Sequence, residues 1–152
     1  MVMGICIISV IGIFLGDLWI KNRIEKTGGE NFPACFAGNK LILKRYHNTG
    51  AMLDMGSSKR TVVTAVSVIL TILISIAFVL SMGRWGNNTL RVGLTLLLGG
   101  SFSNTYDRLK RKYVVDYLSF NVKWKRFRRI VFNLSDFCII IGSFLTALTL
   151  SK

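Results

Sequence analysis

A run of 22 residues without a charged side chain, residues 61–82, constrains the fold of this chain more than any other feature. A helix needs roughly 20 mainly apolar residues to cross the hydrocarbon of a bilayer. Three further apolar segments, residues 2–24, 90–106 and 130–150, have the length and character of additional spans. The sequence therefore predicts one integral membrane domain over residues 1–152, a bundle of four transmembrane helices with both termini on the same side.

The composition agrees with a membrane protein. Hydrophobic residues make up 51% of the chain, and the mean hydropathy is +0.50. Lys and Arg number 20 against seven Asp and Glu, which gives a net charge of +13. These bases lie between the apolar segments, a distribution that favours contact with anionic lipid headgroups over binding of nucleic acid. The N-terminal segment lacks a basic start and a small-x-small cleavage motif, so we expect it to be retained.

The connections fall on two sides of the predicted bundle. Residues 83–89 form a tight turn on one side, whereas residues 25–60 and 107–129 form long connections on the other. Within the long connections, residues 40–46 and 113–117 are extended in character and predict a small β element. Residues 123–129 are basic with interspersed aromatics, a pattern typical of a short helix lying on the membrane surface.

Two of the seven acids, Asp116 and Asp136, stand beside strongly apolar sequence. Holding an ionised carboxylate near bilayer hydrocarbon costs several kcal/mol, so such acids usually have a function. Two of them within reach of each other can share a proton, one acting as base and the other as acid. We expect Asp136 about two turns inside the fourth span, with Asn133 on the same helix face. The alternative is that each acid caps a helix or pairs with a nearby base.

Further polar residues gather at the same end of the bundle, and each has a plain alternative. Asp17 and Lys21 are spaced for a helical ion pair; they either anchor the span, with Lys21 extending outward, or contact substrate. Asn48 and Gly50 form either an ordinary turn or a grip on a substrate backbone.

The end of the third span adds small and polar residues. Gly99, Gly100 and Ser103 favour close helix packing. Asn104 and Arg108 share a helix face, so that Arg108 can reach a carboxylate or a lipid phosphate. Asp107 and Arg108 are equally compatible with a simple interfacial helix end.

Cysteine and histidine are too sparse for other chemistries. Cys6, Cys35 and Cys138 are widely spaced, and His47 is the only histidine. A zinc site needs three or four such ligands at short spacings, so we expect no metal. A serine or cysteine nucleophile would depend on His47 alone.

Five segments, taken in order, resemble the lipoprotein signal peptidases (signal peptidase II), membrane aspartyl proteases of bacteria. They are an acid and a lysine (Asp17, Lys21), an Asn-x-Gly-Ala turn (48–51), a Gly-Gly-x-x-x-Asn-x-x-Asp-Arg block (99–108), a Val-Val-Asp segment (114–116) and an Asn-x-x-Asp segment (133–136). Each motif alone is weak, but five at compatible spacings are specific.

The resemblance implies a four-helix bundle with a small β element, in the bacterial cytoplasmic membrane. It implies cleavage of prolipoproteins just before a diacylglyceryl-modified cysteine, with Asp116 and Asp136 catalytic and no cofactor. The substrate-binding or supporting residues would be Asp17, Lys21, Asn48, Gly50, Gly100, Asn104, Arg108 and Asn133. The partners would be the lipidated substrates and membrane phospholipids, and a monomer would suffice.

Some positions depart from the family pattern, and one feature conflicts with it. Leu53, followed by Asp54, stands where a Phe is usual, Lys112 replaces a common glycine, and Phe137 replaces a frequent serine. The long-connection side carries 17 of the 20 bases, so the positive-inside rule predicts that it is cytoplasmic. The family resemblance instead predicts that the site faces the outer side and that both termini are cytoplasmic.

Two alternative functions make different demands on the sequence. A catalytically idle relative would bind lipidated peptides or assist another complex. A different intramembrane protease would need a Gly-x-Ser-Gly nucleophile with a histidine in a span, or a Gly-x-Gly-Asp motif, and the sequence has neither.

Overall fold

A computed structural model describes residues 2–27, 32–50, 59–83 and 87–150. The element order is α1 (Val2–Lys26), β1 (Ala34–Phe36), β2 (Leu41–Asn48), α2 (Arg60–Met82), α3 (Asn88–Lys110), β3 (Val114–Phe120), α4 (Lys125–Arg128) and α5 (Leu134–Leu150). The predicted combination of long helices, a small β element and a short basic helix is therefore present. The turn residue Ala51 and the divergent Leu53 and Asp54 lie outside the described residues.

Within the described parts of the chain, α1 and α2 are long and apolar enough to cross a membrane. Helix α3 has the length but carries polar residues through its second half, and α5 is apolar but only 17 residues long. The predicted total of four crossings therefore stays a prediction, with α1 and α2 as its strongest members.

Helix α3 occupies the centre of the bundle and packs against α1, α2 and α5. Its contact with α5 is close because glycines face each other: a Cβ on Gly142 would lie 2.6 Å from the Gly93 carbonyl oxygen. A Cβ on Gly100 would lie 2.5 Å from the Ser135 carbonyl oxygen. The small residues near the end of α3 therefore serve close helix packing, the default expectation for such residues in membrane helices.

The β element is a three-stranded antiparallel sheet in the order β1-β2-β3. The register between β2 and β3 shifts between Leu43 and Tyr46, a β-bulge that lets Asn48 pair with Val114. This sheet packs on α1 through a small cluster built from Ile24, Val115 and Tyr117. The sheet is thereby fixed over the end of the bundle at which the polar residues gather.

The fourth apolar segment begins as a helix later than predicted. Residues 130–133 are not helical, because Phe132 forms an isolated bridge with Leu118 of β3. The Phe132 amide donates to the Leu118 carbonyl at 2.7 Å, and the Leu118 amide donates back at 2.8 Å. The prediction that Asp136 lies two turns inside a helix was therefore wrong: it lies in the first turn of α5.

Candidate active site

Asp116 lies in the middle of β3 and is 2% exposed. The neighbouring strand β2 ends at Asn48, whose Nδ2 donates to Asp116 Oδ2 at 3.0 Å. Asn133 donates its Nδ2 to Asp116 Oδ1 at 2.7 Å. Each carboxylate oxygen thus accepts an amide N–H, which fixes the orientation of the carboxyl group.

Asp136 is held by a reciprocal cap at the start of α5. The Asn133 amide donates to Asp136 Oδ2 at 2.9 Å, and the Asp136 amide donates to Asn133 Oδ1 at 2.9 Å. This is the capping-box arrangement, in which an N-cap residue and the residue three positions later satisfy each other's backbone donors. Asn133 and Asp136 therefore meet through the cap at the helix start and not through the shared helix face that was predicted.

Two side-chain amides join the carboxylates. Because Asn133 Oδ1 is occupied by the cap, its Nδ2 faces Asp116 and also donates to Asn104 Oδ1 at 3.2 Å. Asn104 in turn donates its Nδ2 to Asp136 Oδ1 at 2.9 Å. A continuous hydrogen-bonded path therefore runs from Asp116 through Asn133 and Asn104 to Asp136.

A buried ionic cluster lies behind Asn104. Lys21 Nζ is 2.8 Å from Asp17 Oδ2 and 3.1 Å from Asp107 Oδ2, and all three side chains are fully buried. The same ammonium donates to Asn104 Oδ1 at 2.9 Å. The expectation that Lys21 extends outward was wrong, because the carboxylates of two helices and a buried amide satisfy it inside the bundle. Asp107 likewise is not an exposed helix end.

The contacts of the Asn104 oxygen determine which way the Asn104 amide nitrogen faces. With Oδ1 engaged by Lys21 and Asn133, the Asn104 amide nitrogen is left to face Asp136. Lys21 therefore sets the orientation of an amide that contacts a candidate catalytic carboxylate, while touching neither carboxylate of the pair itself.

Three hydroxyl groups complete this cluster: those of Ser135 and Tyr117, to which the sequence patterns assigned no role, and that of Ser103, for which they predicted only helix packing. Ser103 Oγ and Ser135 Oγ donate to Asp17 Oδ2 at 2.6 and 2.5 Å. The Tyr117 hydroxyl donates to Asp17 Oδ1 at 3.0 Å and accepts from the Leu134 amide at 2.9 Å. Burial, and then the charge of Asp17, raise the pKa of Tyr117, which keeps its hydroxyl protonated. The available sequence signal was the position of Tyr117 beside Asp116.

Burial makes Asp116 a weaker acid than an ordinary aspartate. Loss of solvation, and then the charge of Asp136, raise the pKa of Asp116 to about 7. The amides of Asn48 and Asn133 and the charge of Lys21 oppose this rise. A carboxyl group with this pKa can hold or release a proton near neutral pH.

A cavity of about 170 Å3 contains the pair. It is lined by both acids, by the polar residues Asn48, Asn104 and Arg108, and by apolar side chains that include Val114, Phe132 and Ile139. Two backbone carbonyl groups fix the position of Arg108. Its guanidinium donates to the Gly50 carbonyl at 3.0 Å and to the Asn104 carbonyl at 3.2 Å. Its Nε is buried without an acceptor among the described residues.

The remaining predicted residues have supporting positions. The Gly50 amide donates to Asn48 Oδ1 at 3.0 Å, so the turn orients the Asn48 amide toward Asp116. Gly100 lies under the first turn of α5, against the Ser135 carbonyl, and is not among the residues that line the cavity. Its part is to let the two helices approach.

A larger cleft of about 590 Å3 adjoins the pair and shares Asn104, Arg108 and Asp136 with the first cavity. It runs between α2, α3 and α5, from Arg108 and Asp136 at one end past Leu70 and Ile74 toward Ser143. Its walls are mainly apolar, so it can accept a hydrocarbon chain or an apolar peptide segment next to the carboxylates.

Comparison with known proteins gives concordant similarities. Residues 9–152 match the family model described as signal peptidase (SPase) II. The lipoprotein signal peptidase of Clostridium acetobutylicum is 29% identical over 134 residues, which cover 88% of this chain and 82% of that protein. The lipoprotein signal peptidase of Moorella thermoacetica is 37% identical over 106 residues, covering 69% and 65% respectively.

The fold is also similar to that of a solved protein. A bacterial membrane enzyme determined by the in meso method at 2.3 Å resolution matches with a TM-score of 0.81 and 26% sequence identity. The match covers 98% of this chain and 88% of that one. The similarity therefore extends over both the helical bundle and the sheet at its end.

Proposed function

The chain belongs to the signal peptidase II family of aspartic-type proteases, as its motifs predicted, and we propose that it cleaves prolipoproteins immediately before a diacylglyceryl-modified cysteine. In this proposal Asp116 and Asp136 form the acid–base pair. The observation that supports this proposal most directly is that both acids line one cavity. Hydrogen bonds through Asn133 and Asn104 link them.

The chemistry needs one proton shared by two carboxyl groups. One carboxylate takes a proton from water as the water oxygen bonds to the scissile carbonyl carbon. The other carboxyl group donates its proton to the leaving nitrogen as the C–N bond breaks. A pKa of about 7 for Asp116 supports a singly protonated pair near neutral pH. The two groups titrate as a coupled unit, so the roles belong to the pair.

The surrounding donors serve to place the substrate. Arg108 lines both the catalytic cavity and the apolar cleft. Its Nε, which has no acceptor within the described part of the chain, is suited to a substrate carbonyl oxygen at the junction between them. A buried donor gains most from an acceptor that arrives with the substrate. We assign the apolar cleft to the hydrophobic part of the substrate, which then lies beside Asp136.

Orientation follows from the same proposal. A lipid-modified substrate presents its cleavage site at the outer leaflet, so the sheet and the carboxylate pair face the outer side of the cytoplasmic membrane. Both termini are then cytoplasmic and one copy of the chain is enough for the chemistry, because every side chain of the proposed site comes from one chain.

The test uses purified protein in detergent with a lipobox peptide whose cysteine carries a diacylglyceryl group. We expect mass spectrometry to find a product that begins at the modified cysteine, and no cleavage of the same peptide with an unmodified cysteine. The control is Asp136→Asn, which should bind the lipidated peptide without cutting it. Binding by the wild-type protein with no cleavage at any pH would favour the catalytically idle relative instead.

A further inference from the structure

The exposed charge at the active-site end of the molecule is positive. Exposed bases come from the end of α1, from β2, from the end of α3 and from residues 123–129, which we call the α4 region. They include Lys26, Arg45, Lys112, Lys123, Arg128 and Arg129. Asp17, Asp107 and Asp116 are buried, and Asp136 is half-buried. Glu25 is also half-buried and is paired with His47 at 2.7 Å. No acid among the described residues is therefore exposed to balance these bases.

The α4 region combines this charge with exposed aromatic surface. Trp124 is 78% exposed, the highest value among the large hydrophobic side chains described, and it stands next to the exposed base Lys123. Tryptophan concentrates at the boundary between lipid and water, where its ring is partly buried and its N–H stays hydrated. A basic segment with such an aromatic residue is the composition of an interfacial helix.

The sheet holds this region in place. The Phe127 ring packs 5.9 Å from Phe120 and 6.2 Å from Phe132 between ring centroids. The Arg128 carbonyl accepts from Lys44 Nζ at 3.2 Å and from Ser119 Oγ at 2.8 Å. These contacts use the backbone of Arg128 and leave its guanidinium exposed.

Positive charges are crowded here. Partial burial, and then the charge of Arg128, lower the pKa of Lys44. Bases held this close by packing are stabilised by an anion that lies between them, and a lipid phosphate supplies such an anion at a membrane surface.

We propose that Lys44, Lys123, Trp124, Arg128 and Arg129 form a binding surface for anionic phospholipid headgroups of the leaflet that this end of the protein faces. We call it the basic–aromatic surface. The bases bind the phosphates and Trp124 lies at the level of the glycerol backbone. The surface gives a binding role to four of the 17 bases on the active-site side. The proposal does not depend on the catalytic function.

The test is quenching of Trp124 fluorescence in vesicles. The protein carries Trp19→Phe and Trp85→Phe, so that Trp124 is the single tryptophan. It is reconstituted with brominated phosphatidylglycerol or with brominated phosphatidylcholine at equal bromine content. We expect half-maximal quenching at about a fivefold lower mole fraction of the anionic lipid, and a loss of this preference at high salt.

Two variants with equal charge change locate the effect. Replacing Lys123, Arg128 and Arg129 by Gln should abolish the preference. The backbone contacts of α4 remain, and cleavage in detergent should be unchanged. Replacing Arg23, Lys26 and Lys110 by Gln removes the same charge elsewhere and should keep the preference. Equal quenching by the two lipids overturns the proposal, as does an equal loss of preference in both variants. If the triple variant is unstable, Lys123→Gln alone should reduce the preference.

Discussion

The fully buried Lys21 ammonium lies against two carboxylates and one amide of the candidate active site. Its partners Ser103 and Asn104 are 82 and 83 positions away in the chain. The spacing of Asp17 and Lys21 predicted their ion pair, which the structure contains. The spacing gave no sign of Asp107 as the second partner, because that contact depends on how α1 and α3 pack.

Replacing Lys21 by Met tests this cluster. The change leaves Asp17 and Asp107 buried without their shared cation, and breaking a buried ion pair in this way costs about 3–5 kcal/mol. We expect a clear fall in the thermal unfolding temperature in detergent. The matched control is Lys110→Met at the exposed end of α3, where a change of at most about 0.5 kcal/mol is expected. Equal unfolding temperatures for the two variants would contradict the cluster's structural role.

The acidity of Asp116 gives a second prediction. Infrared spectra should show a protonated carboxyl band that disappears as the pH rises, with a midpoint near 7, and that is missing in Asp116→Asn. Asn48→Ala removes a donor to the ionised form and should move the midpoint upward. Since the pKa is raised in the folded protein, this carboxyl lowers the stability as the pH rises from about 4 to about 7. A midpoint near 4 would contradict the proposed environment.

The sequence identified some residues of this site and missed others. Asp116 and Asp136 stood out because acids are rare here and theirs lie in apolar sequence. Ser135 and Tyr117 did not stand out, and Ser103 was predicted only to allow helix packing, since a hydroxyl group in a sequence gives no sign of the acceptor that it meets. Their value comes from one buried acceptor, Asp17, which they reach only in the folded bundle.

At the level of elements, counting apolar residues located the helices but not the start of α5. Ile130, Val131 and Phe132 are apolar, so they extended the predicted span, yet Phe132 pairs with β3 instead. The signal against a helix was Asn133 followed three residues later by Asp136, which is a capping-box pattern. That pattern places the helix start and the candidate catalytic residue together.

The junction between α3 and β3 supplies an element-scale prediction. Lys112 follows the helix cap Arg111 with φ of 71°, the left-handed conformation that glycine favours at this position. We expect Lys112→Gly to stabilise the protein by about 1 kcal/mol.

The control for the Lys112→Gly variant is Lys110→Gly. Lys110 lies in the last turn of α3, where glycine is expected to destabilise the helix by up to about 1 kcal/mol. Thermal unfolding of both variants in the same detergent measures the difference. A lower unfolding temperature for Lys112→Gly than for the wild type would contradict the inferred strain.

At the scale of the whole molecule, two patterns in the sequence predict opposite orientations. The order of the motifs led to the family, which predicts a site on the outer side. The distribution of bases predicts a cytoplasmic site by the positive-inside rule. Composition alone does not decide between them, because the same bases can meet anionic lipid on either side of the membrane.

The exposed Cys35 of β1 tests the orientation directly, since Cys6 and Cys138 are buried. We expect a membrane-impermeant maleimide to label intact spheroplasts that produce the protein, and Cys35→Ser to abolish the labelling. A reporter fused after Lys152 should be cytoplasmic. Labelling of Cys35 only after lysis, with an extracytoplasmic reporter, would reverse the orientation.

The central claim is that Asp116 and Asp136 act as one acid–base unit, and a double-variant cycle tests it most directly. kcat/KM is measured on one lipidated lipobox peptide for Asp116→Asn, for Asp136→Asn and for the double variant. A pair that works as a unit predicts a loss of roughly 10³-fold or more in each single variant and no greater loss in the double variant. Wild-type kcat/KM in either single variant, or losses that multiply in the double variant, would contradict it.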